Sequence, residues 1–442
     1  MAEAVALLRS ALAEHRAHLA GPRPPDPTRR VSYEALLRAF EEHRGGPLFY
    51  PYLGSGLGRG TLVELADGSV KYDFISGIGV HALGHSPDEL LGANLSAAMT
   101  DTVMQGNLQS NEESADLARL LLSYAGERFA HVFLASSGAM ANENALKIIL
   151  QRRRPATRFL AFERAFAGRT LALLAITDNP ATKEFLPTTL GVDRIPFFDA
   201  DRPEASTRAA RERLEAHLAA NPGAYAGMHV ELIQGEAGSY PGSPDFFRTL
   251  FGVLRDHGIA VWIDEIQTLG RTDSLFAFRH LGLDAWPDVV TLGKLAQVAA
   301  TIVRADYRPR PGLVSQTCTS STSAILAARA ILDHLQSGEF FGPGGRIERL
   351  GARLREGLGR IAASRPDRMA GPFGYGAMAA CTVCGGDLER TKKFLRELFE
   401  AGVIAFYAGT RPARVRFLPS VGAATGEDVD AVCDIFERVL CA

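Results

Sequence analysis

Between residues 86 and 335, short apolar runs alternate with stretches of helical periodicity: HVFLAS before AMANENALKIILQR, RFLAF, MHVELI before PDFFRTLFGVLRDHG, IAVWID, and DVVTLG. A strand that is apolar along its whole length is buried on both faces, and parallel neighbours need a helical crossover. The alternation therefore predicts a mainly parallel sheet with helices on both sides. Ligands in such α/β folds sit beyond the carboxyl ends of the strands, so the residues that end each run come first as candidates for chemistry.

The flanks have a different texture. Residues 1–43 read as helical, with Ser32 as the cap of SYEALLRAFEEH, and Gly45-Gly46-Pro47 then breaks the chain. GSGLGRG at 54–60 reads as turns before a hairpin in which TLVEL and VKYDF flank ADGS, with Asp67-Gly68 suited to the positive φ of a tight turn. After residue 336 come the helix IERLGARLREGLGRIAA, the strand MAACTV and the helix LERTKKFLRELFEAG. The strands VIAFY and RVRFLP follow, and Thr425 with Asp428 caps a last helix. The expected division is 1–85 (helices and hairpin), 86–335 (a large α/β domain) and 336–442 (a smaller α+β domain built from the C-terminus with the N-terminal segment).

Composition narrows the partners. The 442-residue chain is 46% hydrophobic and 22% charged with a formal net charge of -2, an ordinary globular balance that gives no electrostatic reason to expect nucleic acid. No apolar run approaches the ~18 residues of a membrane span. The amino terminus carries Arg9, Glu14, His15 and Arg16 inside its apolar pattern, which suits an amphipathic helix better than a signal peptide and leads to the expectation of a cytoplasmic protein. Five scattered cysteines suit reduced thiols. The C-x-x-C of AACTVCGG lies in a strand-like run with no second Cys or His pair at zinc spacing, so no metal is expected. The run RRR at 152–154 reads as a solvated helix end.

In VWIDEIQTLG an apolar strand ends on Asp264 and Glu265. Burying an ionised carboxylate without a partner costs several kcal/mol, so a cation is expected nearby. In PDVVTLGK another apolar run ends beside Lys294. A lone lysine there is ordinarily a surface residue, but two strand ends of one sheet can hold an acid and an amine on opposite sides of a planar ligand. That geometry suits pyridoxal phosphate, whose aldehyde needs a lysine and whose ring nitrogen needs an acid. A phosphate site is offered by LASSGAMANENALK, where Ser136-Ser137-Gly138 precede a helix and backbone N–H groups can approach a dianion; the same pattern serves plain capping. Neither a G-x-G-x-x-G nor a nucleotide-loop, H-E-x-x-H or G-x-S-x-G motif is present, which disfavours a nicotinamide dehydrogenase.

The blocks SGAMANENALK, AFAGRTLALLA, VELIQGEAG, WIDEIQTLGRTDSLFAF, PDVVTLGK, TCTSSTSAILAARAIL and VRFLPSV, in that order, resemble the class III aminotransferases, the pyridoxal-phosphate family of fold type I, from about residue 47 to the end. NENALK and GKLAQV look closest to the branch acting on terminal amino groups: the 4-aminobutyrate, lysine 6-, and acetylornithine and ornithine aminotransferases. The resemblance implies that Lys294 joins the cofactor aldehyde as an imine and that Asp264 pairs with the pyridine nitrogen. It places Phe166 on the ring face, Gln267 at the phenolic oxygen, and Gly138 and Ala139 on the phosphate with Ser137 nearby. Thr317 would reach the phosphate from the neighbouring subunit, which requires a homodimer or a higher assembly with a shared site. Arg416 resembles the binder of the α-carboxylate of 2-oxoglutarate or glutamate, Glu236 the gate that neutralises it, and Arg169 the holder of the distal carboxylate. Bidentate recognition favours Arg over Lys at such places.

The chain also departs from the family pattern. Met140 stands for an acidic residue, Ala167 for the histidine of F-H-G-R-T, Thr268-Leu269-Gly270 is a residue short, and LAQVAAT replaces a glycine-rich segment. The expected function is transfer of a terminal amino group of an amino acid to a 2-oxo acid, with 2-oxoglutarate as acceptor. Two rivals are another reaction of the family, an aminomutase, racemase or decarboxylase, and a silent binding protein that kept the fold.

Overall fold

A seven-stranded sheet forms the centre of residues 96–343. In chain order its strands are β1 (Phe129–Ala135), β2 (Arg158–Phe162), β3 (Val192–Ile195), β4 (Tyr225–Val230), β5 (Ala260–Asp264), β6 (Val289–Leu292) and β7 (Ala299–Arg304). Their spatial order is β1-β7-β6-β5-β4-β2-β3. Every neighbouring pair is parallel except those of β7, which runs antiparallel to both β6 and β1. The five apolar runs read as strands are all present. β3 and β7 are additions that the sequence reading did not single out.

The period-2 alternation of a strand sorts the side chains into two cores. Phe159, Ala161 and Trp262 face one way and pack with Ile148 and Ile149 of the helix Gly138–Arg152. Leu160, Phe162, Val261 and Ile263 face the other way and pack with Phe246, Phe247, Leu250 and Phe251 of the helix Pro244–Asp256. Burying each such large apolar side chain contributes roughly 1.5–3 kcal/mol. Both helices start at a serine: the Oγ of Ser137 accepts from Met140 N, and that of Ser243 accepts from Phe246 N with Pro244 at the first helical position.

The structure is a computed structural model that describes residues 1–101, 106 and 108–442, and the chain divides into two units, 96–343 and 1–95 with 344–442. The second unit joins the chain ends. One of its sheets has the order Gly54–Arg59, Leu62–Leu65, Val70–Asp73, Val403–Ile404; the other has the order Met369–Tyr375, Met378–Val383, Arg414–Phe417, Phe406–Ala408 and is antiparallel throughout. The helices Arg346–Ser364 and Gly426–Cys441 belong to this unit, and Thr425 and Asp428 form a reciprocal capping box. Among the described residues no helix is long and apolar enough to cross a membrane.

Four local readings need correction. The first 43 residues are two helices, Ala2–His15 and Arg30–Arg44, separated by a segment in which Arg23 bridges to Val70. Ser32 is no cap: it lies inside the second helix and donates back to the Arg29 carbonyl at 2.9 Å. GSGLGRG is a bulged strand rather than a set of turns. A Cβ at Gly58 would lie 2.2 Å from that of His85, so glycine permits a close approach there. VIAFY is split into two short strands of different sheets.

Candidate active site

Asp264 is the last residue of β5 and is 6% exposed. Its Oδ1 accepts from Ile266 N at 2.9 Å, and its Oδ2 from Asn142 Nδ2 at 2.8 Å and His229 Nε2 at 3.1 Å. Among the described residues these three groups fill both lone pairs of Oδ2 and leave one acceptor position on Oδ1. The neighbouring strand β6 pairs Thr291 with Asp264, and three residues further on Lys294 starts a 3₁₀ turn with φ 47°. A left-handed φ at a lysine is a strained conformation of the kind that persists where surrounding structure demands it.

Two backbone turns close around these strand ends. A Cβ built on Gly293 would lie 3.7 Å from Gly138 Cα, and one on Gly138 would meet Ile266 Cδ1 at 2.9 Å. The turn before Lys294 and the helix start at Gly138 are therefore in contact, and at Gly138 a larger residue would require a shift of Ile266. Ser137 is exposed, and Gly138 and Ala139 are half-buried on the first turn, whose N–H groups have no intrahelical acceptor. Gly168 lies against Ala139: a Cβ there would be 3.2 Å from the Ala139 Cβ. The same Asn142 Nδ2 that reaches Asp264 also donates to Ala167 O at 2.7 Å. Phe166 N in turn donates to Glu231 Oε2 at 2.8 Å, leaving the phenyl ring half-buried beside this cluster.

The carboxylates are not alike. Burial, and then the Asp264 charge, push Glu231 up to about 8, against the Phe166 N–H bond and the Lys294 amine, while Glu236 adds to the rise. Burial pushes Glu265 up to about 7, against hydrogen bonds from Thr268 and from the Phe278 N–H. At neutral pH Glu231 is thus mostly protonated. Gln267 packs so closely on Gly235 that a Cβ there would lie 1.8 Å from its Oε1. Glu236, half-buried, follows in the short turn Gly235–Gly238.

Most of the residues named from sequence gather in this unit: Ser137, Gly138, Ala139, Phe166, Asp264, Gln267, Lys294 and Glu236. Arg169 lies on its surface, three residues past Phe166, and Thr317 is exposed in the segment before the helix Thr322–Ser337, its carbonyl against Gly106. Arg416 belongs to the other unit, where it is fully buried on Arg414–Phe417 opposite Ala380 and Phe406. Asn142, His229 and Glu231 were missed. Each stands inside a quoted motif, and the only sequence signal was a polar residue in an otherwise apolar pattern, as in MHVELI.

These groups have a chemistry that fits pyridoxal phosphate. Asp264 Oδ1 has an open acceptor position for a ring N–H, Gly138 and Ala139 present amides at a helix start for a phosphate, Lys294 supplies an amine, and the Phe166 ring offers a flat apolar surface.

Relatives of similar sequence include an acetylornithine aminotransferase of Gloeobacter violaceus, 28% identical over 418 residues that cover 91% of this chain and 96% of the relative. Acetylornithine aminotransferase 1 of Bradyrhizobium diazoefficiens is 31% identical over 399 residues, 86% of this chain and 90% of the relative. Among solved structures, the ornithine aminotransferase of Toxoplasma gondii ME49 superposes with a TM-score of 0.80 at 24% identity, covering 92% and 95% of the two chains. A lysine aminotransferase from M. tuberculosis gives 0.78 at 24% identity over 87% and 93%. At such identities these two likenesses establish the fold, which is that of the fold type I enzymes. The description "Aminotransferase class-III" matches residues 54–440, and the chain belongs to that family of pyridoxal-phosphate-dependent transaminases.

Proposed function

We propose that this enzyme moves the terminal amino group of an amino acid of the lysine, ornithine, acylated ornithine or 4-aminobutyrate type to 2-oxoglutarate, working as a cytoplasmic homodimer. The arrangement of Asp264 carries the reading: a buried carboxylate with three donors and one open acceptor position, next to the strand that delivers Lys294. The names of the acetylornithine aminotransferase relatives support the choice of donor class.

Pyridoxal phosphate, when bound, supplies an electron sink for the carbon that bears the donor amine. Asp264 Oδ1 accepts the ring N–H and keeps that proton in place; each unit of pKa by which it does so is worth about 1.4 kcal/mol. The N–H groups of Gly138 and Ala139 hold the phosphate with Ser137 beside them, and Thr317 of the partner subunit completes its ligands. Phe166 covers one ring face and excludes water, and Gln267 donates to the phenolic oxygen. Lys294 Nζ would hold the cofactor between turnovers and would carry the proton from the donor carbon to the carbon of the cofactor's aldehyde, so that the nitrogen stays with the cofactor. Arg416 binds the α-carboxylate of the acceptor, Arg169 its distal carboxylate, and Glu236 neutralises Arg416 while the donor is present.

The test is to incubate the loaded enzyme with acetylornithine, ornithine, lysine and 4-aminobutyrate, and with α-amino acids lacking a second amine, and to follow glutamate formed from 2-oxoglutarate. Glutamate should appear with the first group only, one per donor consumed. Turnover confined to the second group sinks the donor class, and turnover without any oxo acid replaces transamination by an internal rearrangement.

A further inference from the structure

We propose that His229 is a positioning residue for Asp264: its imidazole fixes the carboxylate so that Oδ1, and no other atom, meets the ring nitrogen of the cofactor. The inference rests on the assignment of Asp264 to that nitrogen.

Placement follows from register. His229 of β4 is the parallel partner of Trp262 on β5, so the two side chains leave the sheet on one face, and Asp264, two residues beyond Trp262, leaves on the same face. His229 is fully buried, with Nε2 3.1 Å from Asp264 Oδ2. A carboxylate oxygen in this role only accepts, so the ring proton is on Nε2; among the described residues Nδ1 has no hydrogen-bond partner. The ring is held edge-on against the Trp262 indole, with centroids 4.8 Å apart and planes at 85°. The indole is itself anchored through Nε1 to Thr291 Oγ1 at 3.2 Å. Thr291 is the residue of β6 opposite Asp264.

The chain Thr291, Trp262, His229, Asp264 thus ties three adjacent strands together at the level of the carboxylate. Asn142 holds Oδ2 from the helix side, and His229 holds it from the sheet. With one donor alone the carboxylate could rotate about its Cβ–Cγ bond and offer either oxygen; two donors on Oδ2 fix which one is left. A buried imidazole with one nitrogen unpaired carries a desolvation cost that packing alone does not justify, since an apolar residue would fill a strand position among Ala226, Met228 and Val230 without it.

The experiment compares His229→Phe, which keeps a ring against Trp262 but has no donor, with His229→Gln, whose amide nitrogen reaches to where Nε2 lies. Equilibrium dissociation of pyridoxal phosphate from the full-length protein is measured by visible absorbance, together with the melting temperature of the cofactor-free protein. H229F should loosen the cofactor about tenfold, the size of one hydrogen bond to a charged group, and shift its absorption band. H229Q should restore both, and the two cofactor-free proteins should melt alike. If H229F fails to fold, His229→Asn, whose amide stops one bond short, takes its place with the same expectation. A donor-less variant that binds the cofactor as tightly as the parent, while Asp264→Asn does not, overturns the inference. A lowered melting temperature in both variants without any difference in cofactor affinity makes His229 merely structural. Unchanged affinity and spectrum in Asp264→Asn remove the assignment of Asp264 itself, and this inference with it.

Discussion

Glu231 is the residue whose charge state burial alters most consequentially. Its ordinary value near 4.5 is raised to about 8. In the unfolded chain the carboxyl loses its proton near its ordinary value, whereas in the folded chain it keeps it to about 8. Between those values the folded state binds more protons, so stability falls as pH rises through that window and levels off above it. Each unit of separation is worth about 1.4 kcal/mol. Glutamine keeps the carbonyl oxygen that accepts from Phe166 N and cannot ionise. Cofactor-free Glu231→Gln should therefore lose less melting temperature between pH 5 and pH 8.5 than the parent, measured in parallel calorimetric scans; equal losses would show that Glu231 is not protonated in the folded state. Lys294 admits a sharper test at the same scale. Borohydride should fix pyridoxal phosphate on Lys294 in the parent. Lys294→Ala should take no label while retaining its fold, and it should lose at least about a thousandfold in turnover, since both the attachment point and the proton carrier are gone.

At the scale of elements, the site is made by turns that touch, and Gly235 shows how little slack they have. A Cβ there falls 1.8 Å from Gln267 Oε1. That atom is the far end of a flexible side chain, so Gly235→Ala should be accommodated by displacing Gln267, with a stability change within about 1 kcal/mol. The cost should appear in function instead: if Gln267 donates to the cofactor, catalytic efficiency should fall about tenfold, the weight of one lost hydrogen bond. A variant of full activity would remove Gln267 from the site. The same scale explains what could be read in advance. The β2, β4, β5 and β6 strands are short apolar runs because helices cover both their faces, and that burial is written in composition. β3, Val192–Ile195, is an edge strand with polar Asp193 and Arg194, so it lacks the signature. β7 was hidden because AATIVR follows the Lys294 turn without a break and is antiparallel, needing no crossover helix to announce it. Met369–Tyr375 was obscured by its glycines and proline and by the bulge between Ala370 and Phe373. Asp264 and Lys294 stood out as charged ends of apolar strands. The partners of Asp264 did not: His229 and Asn142 are 35 and 122 residues away in sequence, and only strand register and helix placement bring them to it.

At the scale of the whole molecule, the proposed role of Thr317 couples cofactor binding to assembly. If Thr317 of one protomer ligates the phosphate held by Gly138 and Ala139 of another, a monomer offers an incomplete site. The cofactor must then bind the dimer more tightly than the monomer. Linkage is reciprocal, so the cofactor must strengthen the dimer by that same factor. Two measurements follow on one protein. Diluting the loaded enzyme through its dimer dissociation constant should release pyridoxal phosphate, and saturating cofactor should lower that constant, read by analytical ultracentrifugation. Thr317→Ala removes one hydrogen bond to a charged group, so at high protein concentration it should loosen the cofactor about tenfold. It should also weaken both the dilution effect and the tightening of the dimer, because one contact accounts for both. A dimer indifferent to the cofactor in the parent, or a Thr317→Ala enzyme that keeps the parent's full coupling, would confine the phosphate site to a single protomer.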